Sequence, residues 1–154
     1  MAGGFYERGG GWVLTQSALM VLVLVGGPLT PGASAEGLRL TLAAALLLAG
    51  AGFGIGGAWV LGRNRTIFPR PNAGSRLVTG GIYRWVRHPL YASLMFLSFA
   101  WALYWSSWPT ALAALVLTVF LRAKAAREEA WLREHFPGYA DYAGRVRRFF
   151  PGVW

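Results

Sequence analysis

The segment Leu77-Val78-Thr79-Gly80-Gly81-Ile82-Tyr83-Arg84-Trp85-Val86-Arg87-His88-Pro89-Leu90-Tyr91 sets two guanidiniums, an imidazole and two phenols where a long apolar run begins. Ionisable groups kept at a membrane boundary are costly and usually mark a site. Farther along, Lys124, Glu128 and Leu132 recur at four-residue spacing with Glu129 adjacent, so on a helix two carboxylates stand just beyond the end of an apolar stretch. Arginine, histidine, tyrosine and paired acids at one interface suggest a bound polar ligand. A plainer reading stands beside it: Glu128–Lys124 and Glu129–Arg133 as surface ion pairs worth about 0.3–0.5 kcal/mol each, and His88 as the residue before a helix-starting proline.

Four apolar runs must position these groups: Trp12 to Gly27, Leu38 to Leu61, Leu90 to Trp105 and Pro109 to Leu121. About 20 residues cross the hydrocarbon at 1.5 Å each, so the second run spans with ease and the others are short. The third and fourth are parted only by Ser106-Ser107-Trp108, with serine suited to a helix cap and Pro109 to a first turn. They read as an antiparallel hairpin with an uncharged tip. The expected fold is an all-α, polytopic membrane bundle of about four helices. It forms one domain over residues 1–154, with a two-span part at 1–61 and a core at 62–154.

Composition agrees: 55% of residues are apolar, 14% are charged and eight are tryptophan, against about 25% charged in soluble domains. The basic loop with Arg63, Arg65, Arg70, Arg76, Arg84 and Arg87 lies on the cytoplasmic side by the positive-inside rule, as does the tail with Arg122, Lys124, Arg127, Arg133, Arg145, Arg147 and Arg148. Both termini then face the cytoplasm. Ala33-Ser34-Ala35 resembles a signal-peptide cleavage site, but Glu7 offsets Arg8 where such a peptide should be positive.

The net charge of +9 invites a nucleic-acid reading, with Arg145, Arg147 and Arg148 beside Phe149 and Phe150. Membrane-flanking positions explain it better, at about 1 kcal/mol per basic residue near anionic lipid, so no nucleic-acid partner is expected. The glycine-rich stretch from Gly50 to Gly57 lies inside an apolar helix, without the strand and acid of a dinucleotide fingerprint. Its four-residue spacing suits close helix packing in lipid. No cysteine is present, and His135 is the second and last histidine, so no metal-ligand spacing is recognisable.

The pattern Leu77-Val78-Thr79-Gly80-x-x-Tyr83-x-x-x-Arg87-His88-Pro89-x-Tyr91, an apolar hairpin, Glu128-Glu129-x-x-Leu132, then Phe136-x-Gly138-Tyr139-x-x-Tyr142 and Pro151 resembles the integral-membrane isoprenylcysteine carboxyl methyltransferase family. Phospholipid methyltransferases share its core. The resemblance covers about residues 74 to 151; upstream only the hydropathy agrees. Ser93 stands where that family commonly has glycine.

This resemblance implies S-adenosyl-L-methionine bound at the cytosolic face by the C-terminal half, without a Rossmann domain. By motif, Arg76, Leu77, Val78, Thr79 and Tyr83 would line the cofactor. His88, Pro89, Leu90 and Tyr91 would continue that wall, and Glu128 and Glu129 would close it. Arg87, His88 and Glu129 are the candidate catalytic groups. Arg122 and Lys124 would hold an anionic head of a lipophilic small-molecule or prenylated substrate. The glutamates suit the cofactor's cationic groups, Arg87 or His88 its carboxylate, and Tyr83 or Tyr91 a cation or adenine. The implied reaction is carboxyl O-methylation of an isoprenylcysteine-like acceptor, with phospholipid N-methylation or thiol S-methylation as alternatives. An NADPH-dependent membrane reductase and a noncatalytic membrane scaffold are the readings from other classes. The expected setting is a bacterial inner membrane.

Overall fold

Five helices follow in chain order in the computed structural model, which describes residues 9–33, 36–62 and 76–151. They are α1 (Gly10–Leu29), α2 (Gly37–Leu61), α3 (Pro89–Trp105), α4 (Trp108–His135) and α5 (Tyr139–Arg145), with a 3-10 turn at Gly81–Arg84 before α3. Among the described residues there is no strand, only a two-residue parallel bridge between Val86 and Arg147. Arg63, Arg65 and Arg70 of the basic loop, Glu7 and Arg8, and Ser34 and Ala35 of the small-residue triplet lie outside the described residues.

The all-α membrane bundle read from the sequence is the architecture found. Among the described residues, α1, α2 and α4 are long and apolar enough to cross a bilayer, whereas α3 has 17 residues. At 1.5 Å per residue α3 is about 26 Å long, somewhat short of a hydrocarbon core of about 30 Å. Its limits are set locally. Pro89 opens it at the first turn, and Ser106 ends it in the left-handed region at φ 53°. Ser107 then caps α4, its hydroxyl accepting from the Thr110 amide at 3.2 Å. Such a cap is worth about 1 kcal/mol.

The fourth apolar run ends at Leu121, but the helix does not. The stretch from Arg122 to His135 is rich in Ala, Arg, Glu and Leu, strong helix formers, and carries α4 unbroken to His135. Of the apolar window in α4, 39% is buried, against 11% in α1 and in α2. Thus α1 and α2 turn most of their surface outward, and α3 packs against α1, α2 and α4. Small side chains on the buried faces, Ala92, Ala113, Ala114 and Ala125, let the helices approach around Met95, Leu117 and Leu121.

The glycines of α2 do pack. A Cβ on Gly50 would come within 2.9 Å of Leu97, one on Gly54 within 2.7 Å of the Ser93 hydroxyl, and one on Gly57 within 3.0 Å of Pro89. Gly52 instead faces open space, so only part of the glycine stretch serves the contact. Ser93 fits beside this surface and donates to the Gly50 carbonyl at 2.6 Å. At the hairpin end α1 is laced to its neighbours: Trp101 Nε1 donates to the Leu24 carbonyl at 3.0 Å, and the Thr30 and Ser107 hydroxyls lie 2.6 Å apart.

Candidate functional site

Glu129 of α4 is wholly buried, and the site is assembled around its carboxylate. Arg87 Nε donates to Oε1 at 3.1 Å, Arg148 Nε to Oε1 at 3.0 Å, and Arg148 Nη2 to Oε2 at 2.8 Å. His88 Nε2 lies 3.1 Å from the same Oε1. A buried charge is tolerated when it is paired and hydrogen-bonded, and here two guanidiniums and an imidazole meet that need. Arg133, expected as the surface partner, reaches Glu129 only at 3.9 Å.

Two backbone devices bring these groups together. The C-terminal tail lies along residues 86–88, with the Arg87 amide donating to the Arg147 carbonyl at 2.8 Å and the His88 amide to the Arg148 carbonyl at 3.0 Å. Arg87 also reaches the end of α5, where Nη1 donates to the Ala143 carbonyl at 2.6 Å and to the Val146 carbonyl. A cation there complements the negative end of a helix. The 3-10 turn is held in turn by the Tyr142 hydroxyl, which donates to the Tyr83 carbonyl at 2.7 Å. Burial pushes the Tyr142 phenol up to about 12 and raises those of Tyr83 and Tyr139 as well. Their hydroxyls therefore stay neutral at physiological pH. The hydrogen bonds that Arg148 donates to the Glu129 carboxylate hold its guanidinium above its ordinary value.

One position earlier on α4, Glu128 faces a different set. Its Oε2 accepts from the Tyr91 hydroxyl at 2.9 Å and lies 3.7 Å from His88 Nδ1. His88 thus stands between the two carboxylates, with its ring stacked parallel to Tyr91 at 5.3 Å and an interplanar angle of 2°. The glutamates differ in access: the Glu128 side chain is 23% exposed and that of Glu129 is not exposed at all. Glu128 is the more accessible of the two carboxylates.

Lys124 does not pair with Glu128 as a surface ion pair. It is only 2% exposed; its ammonium donates to Gln16 of α1 and lies 5.4 Å from the centre of the Tyr91 ring. Arg122 lies two residues earlier, about 200° away around the helix. Together with Arg87, Met95, Thr118, Arg148, Phe149 and Phe150, it lines a cavity of about 300 Å³. The two residues expected to share one substrate head therefore stand on different faces of α4.

Of the other candidates, Pro89 is buried and Leu90 half-buried at the start of α3, while Arg76 and Thr79 are exposed and Leu77 and Val78 half-buried ahead of the 3-10 turn. Leu77, Val78 and Thr79 are not among the hydrogen-bonded members of the cluster. Arg148, Gln16 and Phe149 belong to the site, yet the sequence reading used none of them there. Arg148 figured as a topology charge, Phe149 as part of a basic-aromatic patch, and Gln16 as one residue of an apolar run.

Comparison with known proteins adds the family. The chain is 38% identical over 76 residues to the cobalt-zinc-cadmium resistance protein CzcN of Cupriavidus metallidurans, a match that covers 49% of this chain and 35% of that protein. The chain thus spans only about a third of that curated relative's length. The model of the phospholipid methyltransferase family matches residues 38–138, which include all but the first residue of α2, all of α3 and α4, and Arg87, His88, Tyr91, Glu128 and Glu129, while Arg148 lies beyond it. With more than half of its length matched by that model, this integral membrane protein belongs to the phospholipid methyltransferase family.

Proposed function

We propose that the chain is an S-adenosylmethionine-dependent methyltransferase whose acceptor is a lipophilic anion, such as the carboxylate of an isoprenylcysteine-like molecule. The site faces the cytoplasm in a bacterial inner membrane, and residues 62–154 form the core, completed by the two-span part. The observation that carries the acceptor reading is the cavity beside Glu129. Three guanidiniums, Arg87, Arg122 and Arg148, border it, and Met95, Phe149 and Phe150 give it apolar walls. An acid group on the arginines with its chain against the apolar residues suits both kinds of lining.

The residues present fit the cofactor. A partly exposed carboxylate, Glu128, held by the Tyr91 hydroxyl and beside His88, offers charge to a cationic group. The bound group would supply an electrophilic methyl. The protein's own work is then positioning and exclusion of water, because a carboxylate or thiolate acceptor is already nucleophilic. Glu129 holds Arg87, His88 and Arg148 in place, and Arg122 and Arg148 orient the acceptor. An amine acceptor would need a proton acceptor, and His88 is the candidate.

The test is transfer of labelled methyl from S-adenosylmethionine to N-acetyl-S-farnesylcysteine, dispersed phosphatidylethanolamine or a long-chain thiol by the purified protein. The expected product is an alkali-labile ester of the acid, with Arg122→Gln raising KM about tenfold. Label found only in an alkali-stable amine or thioether would overturn the acceptor assignment.

A further inference from the structure

The helix α1 lies outside the segment matched by the family model, yet it sends one polar side chain to the site. Gln16 accepts from the Lys124 ammonium. Lys124 lies against the Tyr91 ring, and the Tyr91 hydroxyl donates to Glu128. A chain of contacts therefore runs from α1 through α4 and α3 to the partly exposed glutamate. Each link is within hydrogen-bond or cation–π range.

Gln16 occurs in a helix otherwise dominated by apolar side chains, where a polar residue usually has a specific partner. The register of α1 is fixed at its far end by Thr30 against Ser107, by the Trp101 bond to Leu24, and by Gly27, where a Cβ would meet Trp105 at 2.5 Å. The amide of Gln16 is consequently delivered to a fixed place, and Lys124, 2% exposed, takes its position from that amide. A lysine side chain left without this partner regains much of its rotamer freedom, and the Tyr91 ring beneath it loses a neighbour.

We propose that α1 completes the site through Gln16, a positioning residue that fixes Lys124 over Tyr91 and thereby aims Glu128 at the cationic part of the ligand. The inference rests on the methyltransferase reading above, because it takes Glu128 to meet the charged end of the cofactor. Gln16 acts on Glu128 at a distance, through Lys124, which bears on it by way of Tyr91 and by its own nearby charge.

The experiment is calorimetric titration of the detergent-purified full chain with S-adenosylmethionine, S-adenosylhomocysteine and the uncharged 5′-methylthioadenosine, alongside thermal unfolding of each variant. Gln16→Leu is expected to weaken one or both charged ligands about tenfold and methylthioadenosine less than about twofold. Lys124→Met should do the same. The double variant should be no worse than Lys124→Met alone, since the two residues act in series. Gln16→Glu, which keeps an acceptor for the ammonium, should restore binding. Equal weakening of all three ligands, a change in Tm alone, or additive losses in the double variant would overturn the proposal. A wild-type protein that binds none of the three nucleosides strikes instead at the methyltransferase reading and removes the inference with it.

Discussion

Arg148 and Glu129 are joined by two parallel hydrogen bonds, Nε to Oε1 at 3.0 Å and Nη2 to Oε2 at 2.8 Å, which clamp the C-terminal tail onto the middle of the site. The fork of a guanidinium matches both oxygens of a carboxylate. Tail and α4 are thereby locked in one relative position, and the cavity lining by Phe149 and Phe150 follows from it.

Replacing Glu129 leaves Arg87 and Arg148 close together with no shared acceptor. Glu129→Ala is expected to cost about 3–5 kcal/mol, the usual penalty for stripping one partner from a buried ion pair. Thermal unfolding in detergent should show a large fall in Tm. An unchanged Tm would remove Glu129 from its structural role.

The two glutamates should separate by readout. Glu128→Gln, at the accessible carboxylate, is expected to leave Tm near wild type while weakening S-adenosylhomocysteine about tenfold or more. Glu129→Gln should lower Tm first. Calorimetry and unfolding on the same preparations check this, and identical behaviour of the two variants would contradict it.

Close approach of α2 and α3 depends on glycine. Gly57→Val would drive a side chain into Pro89 and Leu90, already 3.0–3.1 Å from the position of a Cβ. Overpacking of this kind costs about 1–3 kcal/mol. Gly52→Val, where nothing lies within 4 Å, is the control and should unfold at nearly the wild-type temperature.

Alkaline pH should loosen the strap over the 3-10 turn. Burial raises the Tyr142 phenol from 10.0 to about 12 in the folded protein. A raised value means the neutral form is favoured by folding, so its stabilisation is intact below pH 10.0 and is lost as pH rises through about 12. Tm should therefore fall across that window. Tyr142→Phe should be less stable at neutral pH and show a shallower alkaline decline.

Much of this arrangement is legible in the residues. Apolar run lengths lead to the helices, Ser107 and Pro109 to the start of α4, and the four-residue spacing of Gly50 and Gly54 to the α2–α3 contact. The like spacing of Gly52 and Gly56 does not lead there, since Gly52 faces open space and Gly56 meets Ile82. The adjacency of Arg87, His88 and Tyr91 likewise points to one wall of the site. What the chain does not display is long-range partnership. Nothing in the local pattern tells Arg148 from its neighbour Arg147, because only the bridge at Val86 decides which guanidinium turns toward Glu129. Gln16 is hidden for the same reason: its partner lies 108 residues away. Hydropathy also marks the end of α4 at Leu121, because it responds to the charges that follow and not to their helix propensity. Lys124 and Arg122 look like one basic patch in sequence, and only the helical rotation between them sends one to α1 and the other to the cavity.

Titration of S-adenosylmethionine into the purified protein, in detergent and again in lipid nanodiscs, decides whether this site takes the cofactor. Micromolar binding, about −8 kcal/mol, is expected, weakened at least about tenfold in Glu128→Gln without loss of fold. Absence of binding by folded wild-type protein in both environments would contradict the methyltransferase reading.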